Sequence, residues 1–205
     1  DKGCEDLPEW KRDKMWTNGF PLYHDGNQTF SKDPNKYAGL IERNSKILAE
    51  RYGRKAVNTE RAKTVEGWFA EDEIEWLGSQ VASLPQSAVV VEVGSWKGRS
   101  SRAIADNLPE GGRLYCVDTF CGSSGEPDAH LTAKDREGDN VFMSFVHALH
   151  DHIDAWRVIP IRMTSEHAAE TLDNLRPDLI FLDGDHSAEG IKTDVEAWLP
   201  LLKEG

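Results

Sequence analysis

The stretch VVVEVGSWKGRSS, residues 89–101, decides the fold. Its apolar, β-branched opening reads as a short strand buried on both faces, the kind found in parallel sheets. Gly94 then permits a sharp turn and the close approach of another group, because it carries no Cβ. Gly98 allows close contact at the start of a helix, where the first backbone N–H groups point outward without partners. In an open α/β sheet the ligand crevice lies outside the carboxyl ends of the strands, which is where this turn falls. Two readings of the turn stay open, a ligand cradle and a plain strand-to-helix connection. Its G-x-x-x-G spacing lacks the second glycine that the dinucleotide pyrophosphate fingerprint requires. Glu92 is an acid inside the apolar strand. Buried acids are costly unless paired, and a carboxylate there could bind a ligand amine, directly or through water.

Downstream of this stretch, strand and helix patterns alternate. Residues 113–120 (RLYCVDTF), 156–163 and 178–182 (DLIFL) read as strands. Residues 140–153 read as a helix with Val141, Phe145, Val146, Leu149 and Ile153 on one face. Residues 165–175 form a second helix opening at Ser165. Residues 188–202 form a third, with Ile191, Val195, Trp198, Leu199 and Leu202 expected on its buried side. This order predicts an α/β, Rossmann-like parallel sheet, with right-handed crossovers and helices on both faces.

Upstream the pattern is different. Leu40, Ile41, Ile47 and Leu48 suit one amphipathic helix. Phe69, Ile74, Leu77, Val81 and Leu84 suit another, opened by Glu71, Asp72 and Glu73 where the helix dipole favours acids. Residues 1–36 show no sustained period and read as an irregular arm packed by its aromatics. The tryptophans of the N-terminal half are expected as packing groups, not as a stacking platform. The chain therefore divides into an arm and helical cap, 1–84, and a sheet domain, 85–205.

With 205 residues and a formal net charge of −12, the composition is that of a globular protein. Residues 1–65 carry +3 and residues 66–205 carry −15. That acidity argues against nucleic acid as a partner. No apolar run approaches a membrane span, and without a basic segment followed by an apolar one at residue 1 onward no export is expected. Three cysteines without a C-x-x-C motif point to a reducing compartment, and a cytoplasmic location is expected.

Polar residues gather where the strands end. Asp118 closes the second strand, where an acid accepts hydrogen bonds from ribose hydroxyls. Ser165 and Glu166 follow the third strand and either contact a base ring or cap the next helix. The fourth strand delivers Asp183, Asp185 and His186 within four residues. Two adjacent carboxylates suit a hard divalent cation such as Mg²⁺, and a nearby His can take a proton from a hydroxyl. One of these acids is also expected to cap the following helix. The polar loop at 121–138 is expected to fold over the crevice as a mobile lid. His147, His150 and His152 read as an exposed helix face.

The segments VEGWF (65–69), VVVEVGSWKGRSS (89–101), LYCVDTF (114–120) and DLIFLDGDHSAEGIKTDVEAWLPLLKEG (178–205) together resemble class I S-adenosylmethionine-dependent methyltransferases. Among these the chain looks most like small-molecule O-methyltransferases, including sugar-modifying enzymes. The resemblance implies that Glu92, Gly94 and Ser95 line the methionine end of S-adenosylmethionine, that Asp118 holds the ribose, and that Ser165 lies near the adenine; Gly98 is also expected to bind the cofactor. It implies Asp183 as a Mg²⁺ ligand, with Asp185 or His186 as the base. The family sheet has seven strands. The chain ends where the fifth would begin, so strands five to seven and the later metal ligands are expected to be missing. An exposed fourth-strand edge invites pairing with another copy of the chain.

The expected activity is methyl transfer to a hydroxyl of a small molecule, for example a sugar. The rivals are a metal-dependent glycosyltransferase using Asp183 and Asp185, and a non-catalytic module on the same fold.

Overall fold

The computed structural model describes residues 57–122 and 140–204. The expected arm, the helix around 40–48 and the greater part of the 121–138 loop lie outside the described residues. In chain order the elements are α1 (Glu60–Thr64), α2 (Glu71–Ala82), β1 (Val89–Val93), α3 (Arg99–Asn107), β2 (Arg113–Asp118), α4 (Asn140–Asp154), β3 (Val158–Arg162), α5 (Ser165–Thr171), β4 (Leu179–Leu182) and α6 (Ala188–Trp198), followed by a 3₁₀ turn, Leu199–Leu201. The short α1 gave no periodic signal, because five residues barely complete one turn.

The four strands form one parallel sheet in the order β3-β2-β1-β4. Val91 of β1 lies opposite Tyr115 of β2 and Ile180 of β4. This is a Rossmann-like arrangement, and the winding reverses between β1 and β4. Alternate residues of β1 feed two cores. Val90 faces α2, α3 and α4 with Leu77, Ile104, Leu114, Phe145 and Leu149. Val91 and Val93 face α5 and α6 with Val117, Ala168 and Trp198. Helices therefore cover both faces, as the alternation predicts. Among the described residues no helix is long and apolar enough to cross a membrane.

The expected buried side of α6 is only partly correct. Trp198 is fully buried, but Ile191 and Leu199 are among the exposed large hydrophobics. Asp194 occupies the inner face instead, and the helix changes to a 3₁₀ turn at Leu199, which rotates the later residues off the helical stripe. All four β4 residues are half-buried, and β4 is an edge of the described sheet.

An ionic cluster joins three helices. Arg102 of α3, 2% exposed at its side chain, donates to Asp106 Oδ2 at 2.9 Å and to Asp151 Oδ1 of α4 at 2.6 Å. Arg61 of α1 reaches Asp151 Oδ2 at 2.6 Å. His152, expected on an exposed face, is buried, with Nε2 2.8 Å from Asp106 Oδ1. Burial would raise the Asp106 carboxyl, but hydrogen bonds from His152 and Arg102 outweigh it and hold the group below its usual range. Hydrogen bonds from Arg102 hold Asp151 well below that range.

The β1–α3 turn is shaped by its neighbours. Gly94 sits at φ +90, and a Cβ there would lie 2.1 Å from the Asp183 carbonyl oxygen and 2.6 Å from Gly184 N. The room that the sequence reading gives to a ligand is taken by the chain itself as it leaves β4. Gly98 sits at φ +91, and a Cβ there would stand 3.1 Å from both Leu149 Cδ1 and Phe145 Cδ2. It is the seat of α4 on α3.

Two outcomes follow from this packing. Gly94→Ala meets backbone atoms at a left-handed φ and is expected to destabilise the fold by about 3 kcal/mol or more. A wild-type urea midpoint would contradict that placement. Arg102→Met strands the buried Asp106 carboxylate and is expected to cost about 3 kcal/mol at neutral pH, measured by urea denaturation. Because both carboxyls are depressed in the fold, the stability they contribute is present at neutral pH and is lost as pH falls below about 4. The variant should therefore lose less of its stability on acidification than the parent.

Candidate active site

The carboxyl ends of β1, β2 and β4 bring four of the expected residues together. Glu92 is fully buried on the α3 side of β1. Its Oε2 accepts from Ser95 Oγ at 2.7 Å and from Ser101 Oγ, while Oε1 has no partner among the described residues. Burial raises its pKa against the opposing hydroxyls of Ser100, Ser101 and Ser95. The paired serines that open α3 are thus the answer to the acid in the strand. Sequence reading noted the acid and missed the hydroxyls that hold it.

Asp118 ties the first two strand ends together. Its Oδ2 accepts from Trp96 N at 2.7 Å and its Oδ1 from Phe120 N at 2.6 Å. Burial raises its pKa in spite of those N–H donors. Each oxygen keeps a second lone pair. Trp96 and Phe120 both hold positive φ, 43° and 57°, so two strained turns hang from one carboxylate.

Asp183 continues the β1–β4 ladder through its N–H, which donates to Val93 O at 2.8 Å. Its side chain makes no hydrogen bond among the described residues. Burial, reinforced by the charges of Glu92 and Glu73, raises its pKa to about 7, with no basic side chain among the described residues offsetting them. Glu73 comes from the first turn of α2, where sequence reading saw only dipole compensation.

Asp185 is turned away from this group. Its Oδ1 accepts from Ser187 N at 2.8 Å, and the side chain lies over Gly190, where a Cβ would be 2.6 Å away. It shapes the entry to α6, whose N-cap is Ser187. His186 lies between them, half-buried. Ser165 is also engaged elsewhere. Its Oγ accepts from Trp198 Nε1 at 2.9 Å, and it hydrogen-bonds Asp194. The cap of α5 is the preceding residue, Thr164.

The Mg²⁺ ion expected at Asp183 does not fit the described residues. A hard divalent cation gathers several oxygens, yet no group of three His, Cys, Asp or Glu side chains among them is placed to hold a metal. Asp183 is one open carboxylate, and Asp185 is committed to its turn.

Trp68 packs its ring 4.4 Å from that of Trp96 while 59% exposed.

Comparison with known proteins agrees with the fold. No curated protein matches the chain. Among solved structures, the Streptomyces achromogenes O-methyltransferase TomG, involved in tomaymycin synthesis and solved with SAM, is similar with a TM-score of 0.53 at 17% identity over 83% of this chain and 70% of its own. A Bacillus cereus O-methyltransferase solved with SAH is similar with a TM-score of 0.51 at 15% identity over 80% of this chain and 69% of its own. At such identities the likeness is one of fold. The family model described as a methyltransferase domain matches residues 91–205, which include the glycine turn, Asp118 and Asp183. That span is more than half of the sequence, and the chain belongs to this methyltransferase-domain family.

Proposed function

We propose that the protein transfers the methyl group of S-adenosylmethionine to a hydroxyl of a small molecule. Asp183 carries this reading. It is a carboxylate at the switch between β1 and β4, open to a ligand and raised to a pKa of about 7. A group poised there takes a proton from an acceptor hydroxyl near neutral pH.

The acids of the site suit the cofactor. Glu92 keeps an unpartnered buried oxygen, and Asp183 is crowded by Glu92 and Glu73. A ligand bearing positive charge relieves both. S-adenosylmethionine supplies an activated methyl group on a sulfonium, beside an ammonium. Glu92, Ser95 and the 94–98 turn would hold its methionine end, and the spare lone pairs of Asp118 its ribose. Asp183 would orient the acceptor hydroxyl and receive its proton. Asp185 and Ser187 hold the loop that carries Asp183, and His186 is a second proton acceptor on that loop. The solved complexes of TomG and the Bacillus cereus enzyme with SAM and SAH support this choice of cofactor.

A glycosyltransferase would need Asp183 and Asp185 to share a cation, and Asp185 is bonded to Ser187 N instead.

S-adenosylhomocysteine in excess is expected to raise the melting temperature by several degrees, because it binds only the folded state. An unmoved transition would overturn the cofactor. Asp183→Asn is expected to lower methyl transfer by about a hundredfold, with S-adenosylhomocysteine affinity within a few-fold of wild type. In the parent, kcat/KM should rise with pH through about 7 and then level, and the variant should lose that limb. The sign for stability is opposite. A carboxyl raised in the fold costs nothing below its unfolded pKa and destabilises progressively as pH climbs from about 4. That cost is complete above pH 7, so Asp183→Asn should melt higher than the parent at pH 8.

A further inference from the structure

We infer that the face around Trp156 joins two copies of this chain, with the Trp156 of each seated in an apolar hollow on the other. Trp156 immediately precedes β3, so the face lies at the amino ends of the parallel strands, away from the candidate active site at their carboxyl ends. The inference is independent of the methyl-transfer reading.

Trp156 holds a position that suits a different residue. Helix α4 ends in a doubly bonded turn, in which Trp156 N donates to Ile153 O at 2.9 Å and Arg157 N to His152 O at 2.9 Å. That pattern places the residue after the helix in the left-handed region, and Trp156 has φ +56. Glycine is the usual occupant, because a Cβ is strained there and a bulky side chain is a clear outlier. The fold gains little from the indole in return. It is 77% exposed, and it makes no hydrogen bond and no ring contact among the described residues.

Beside the indole lies a hollow of about 330 Å³. Among the described residues its walls are Ile153, Trp156, Val158, Ile159 and Pro160, with Asp154 as the one ionisable group. The adjoining edge of the sheet, β3, offers no good ladder. Leu114 N donates to Arg157 O, so by alternation the backbone groups of Val158, Pro160 and Arg162 face away from β2. Pro160 has no N–H to give at the middle of that free side, which is one way in which edge strands are blunted. What remains for a partner is side-chain packing.

Two features make that partner another copy. A knob and a hollow stand side by side, and a twofold axis through such a face brings each knob to the other copy's hollow. Charge points the same way. Residues 66–205 carry −15, so two copies repel wherever their acids meet. This hollow sets five apolar residues against a single acid, and so calls for neither a basic nor an acidic partner. One aromatic anchor on a five-residue strand makes a small interface, and a dissociation constant on the order of 10 µM is expected.

Sedimentation velocity of the full chain, from a few micromolar to a few hundred micromolar, tests this. The parent should pass from monomer to dimer over that range, and more readily in high salt, which screens the net repulsion. Trp156→Gly should weaken association at least tenfold. At a dilution where both are monomeric, the same variant should melt at least as high as the parent, because glycine suits the left-handed position. Trp156→Asn, also tolerant of that position, should behave alike. A parent that stays monomeric throughout overturns the inference and leaves the face to a different protein. A dimer that neither variant weakens overturns it in favour of another surface, such as the β4 edge. Lower melting of both dilute variants would show the indole serving the fold of the single chain, and overturns it too.

Discussion

The contact between Gly94 and the backbone of Asp183 is the constraint on which the rest of the structure depends. It closes β1 onto β4 at the point where the winding of the sheet reverses, with no space for a single carbon atom between them. Everything at the carboxyl edge is referred to that contact. The turn that follows Gly94 places Ser95 on Glu92 and Trp96 on Asp118. The loop that follows Asp183 carries its carboxyl group into the field of Glu92. A tight backbone junction thus sets the spacing of acids that are separated by 91 positions in the chain.

Such a junction accounts for the high energy of the site. Glu92 and Asp183 are both acids pressed out of water, and neither finds a basic partner among the described residues. Elsewhere in the same molecule, Arg102, Asp106, Asp151 and His152 form a paired cluster. The contrast separates two uses of charge. One set is balanced and joins helices; the other is left unbalanced, as functional sites often are.

The sheet was legible because its signals are local. Runs such as AVVVEV and DLIFL declare buried strands from composition alone, and Gly-Gly at 111–112 and Pro85 mark the breaks between elements. Asp118 was legible for the same reason, as an acid at the end of a strand. What could not be read depends on distance in space. The loss of Asp185 to its own turn, the engagement of Ser165 with Trp198, and the reach of Glu73 to Asp183 all need a tertiary neighbour to be known. The clamp on VEGWF is similar, because nothing in that segment says that Arg99 will reach the carbonyls of Val65 and Phe69. The buried face of α6 failed where a regular period was extended through a 3₁₀ turn.

The Arg102 cluster also bears on how the sequence can drift. Its members come from α1, α3 and α4, and Arg61, Arg102, Asp106 and Asp151 each pair with more than one neighbour. Replacement of any one strands a charge on another helix, so a lone change is penalised even where the new residue would fit its own surroundings. The viable routes are concerted, with acid and base lost together in favour of apolar side chains. Among descendants of this sequence those positions should therefore vary as a block, appearing either as the whole ionic set or as none of it.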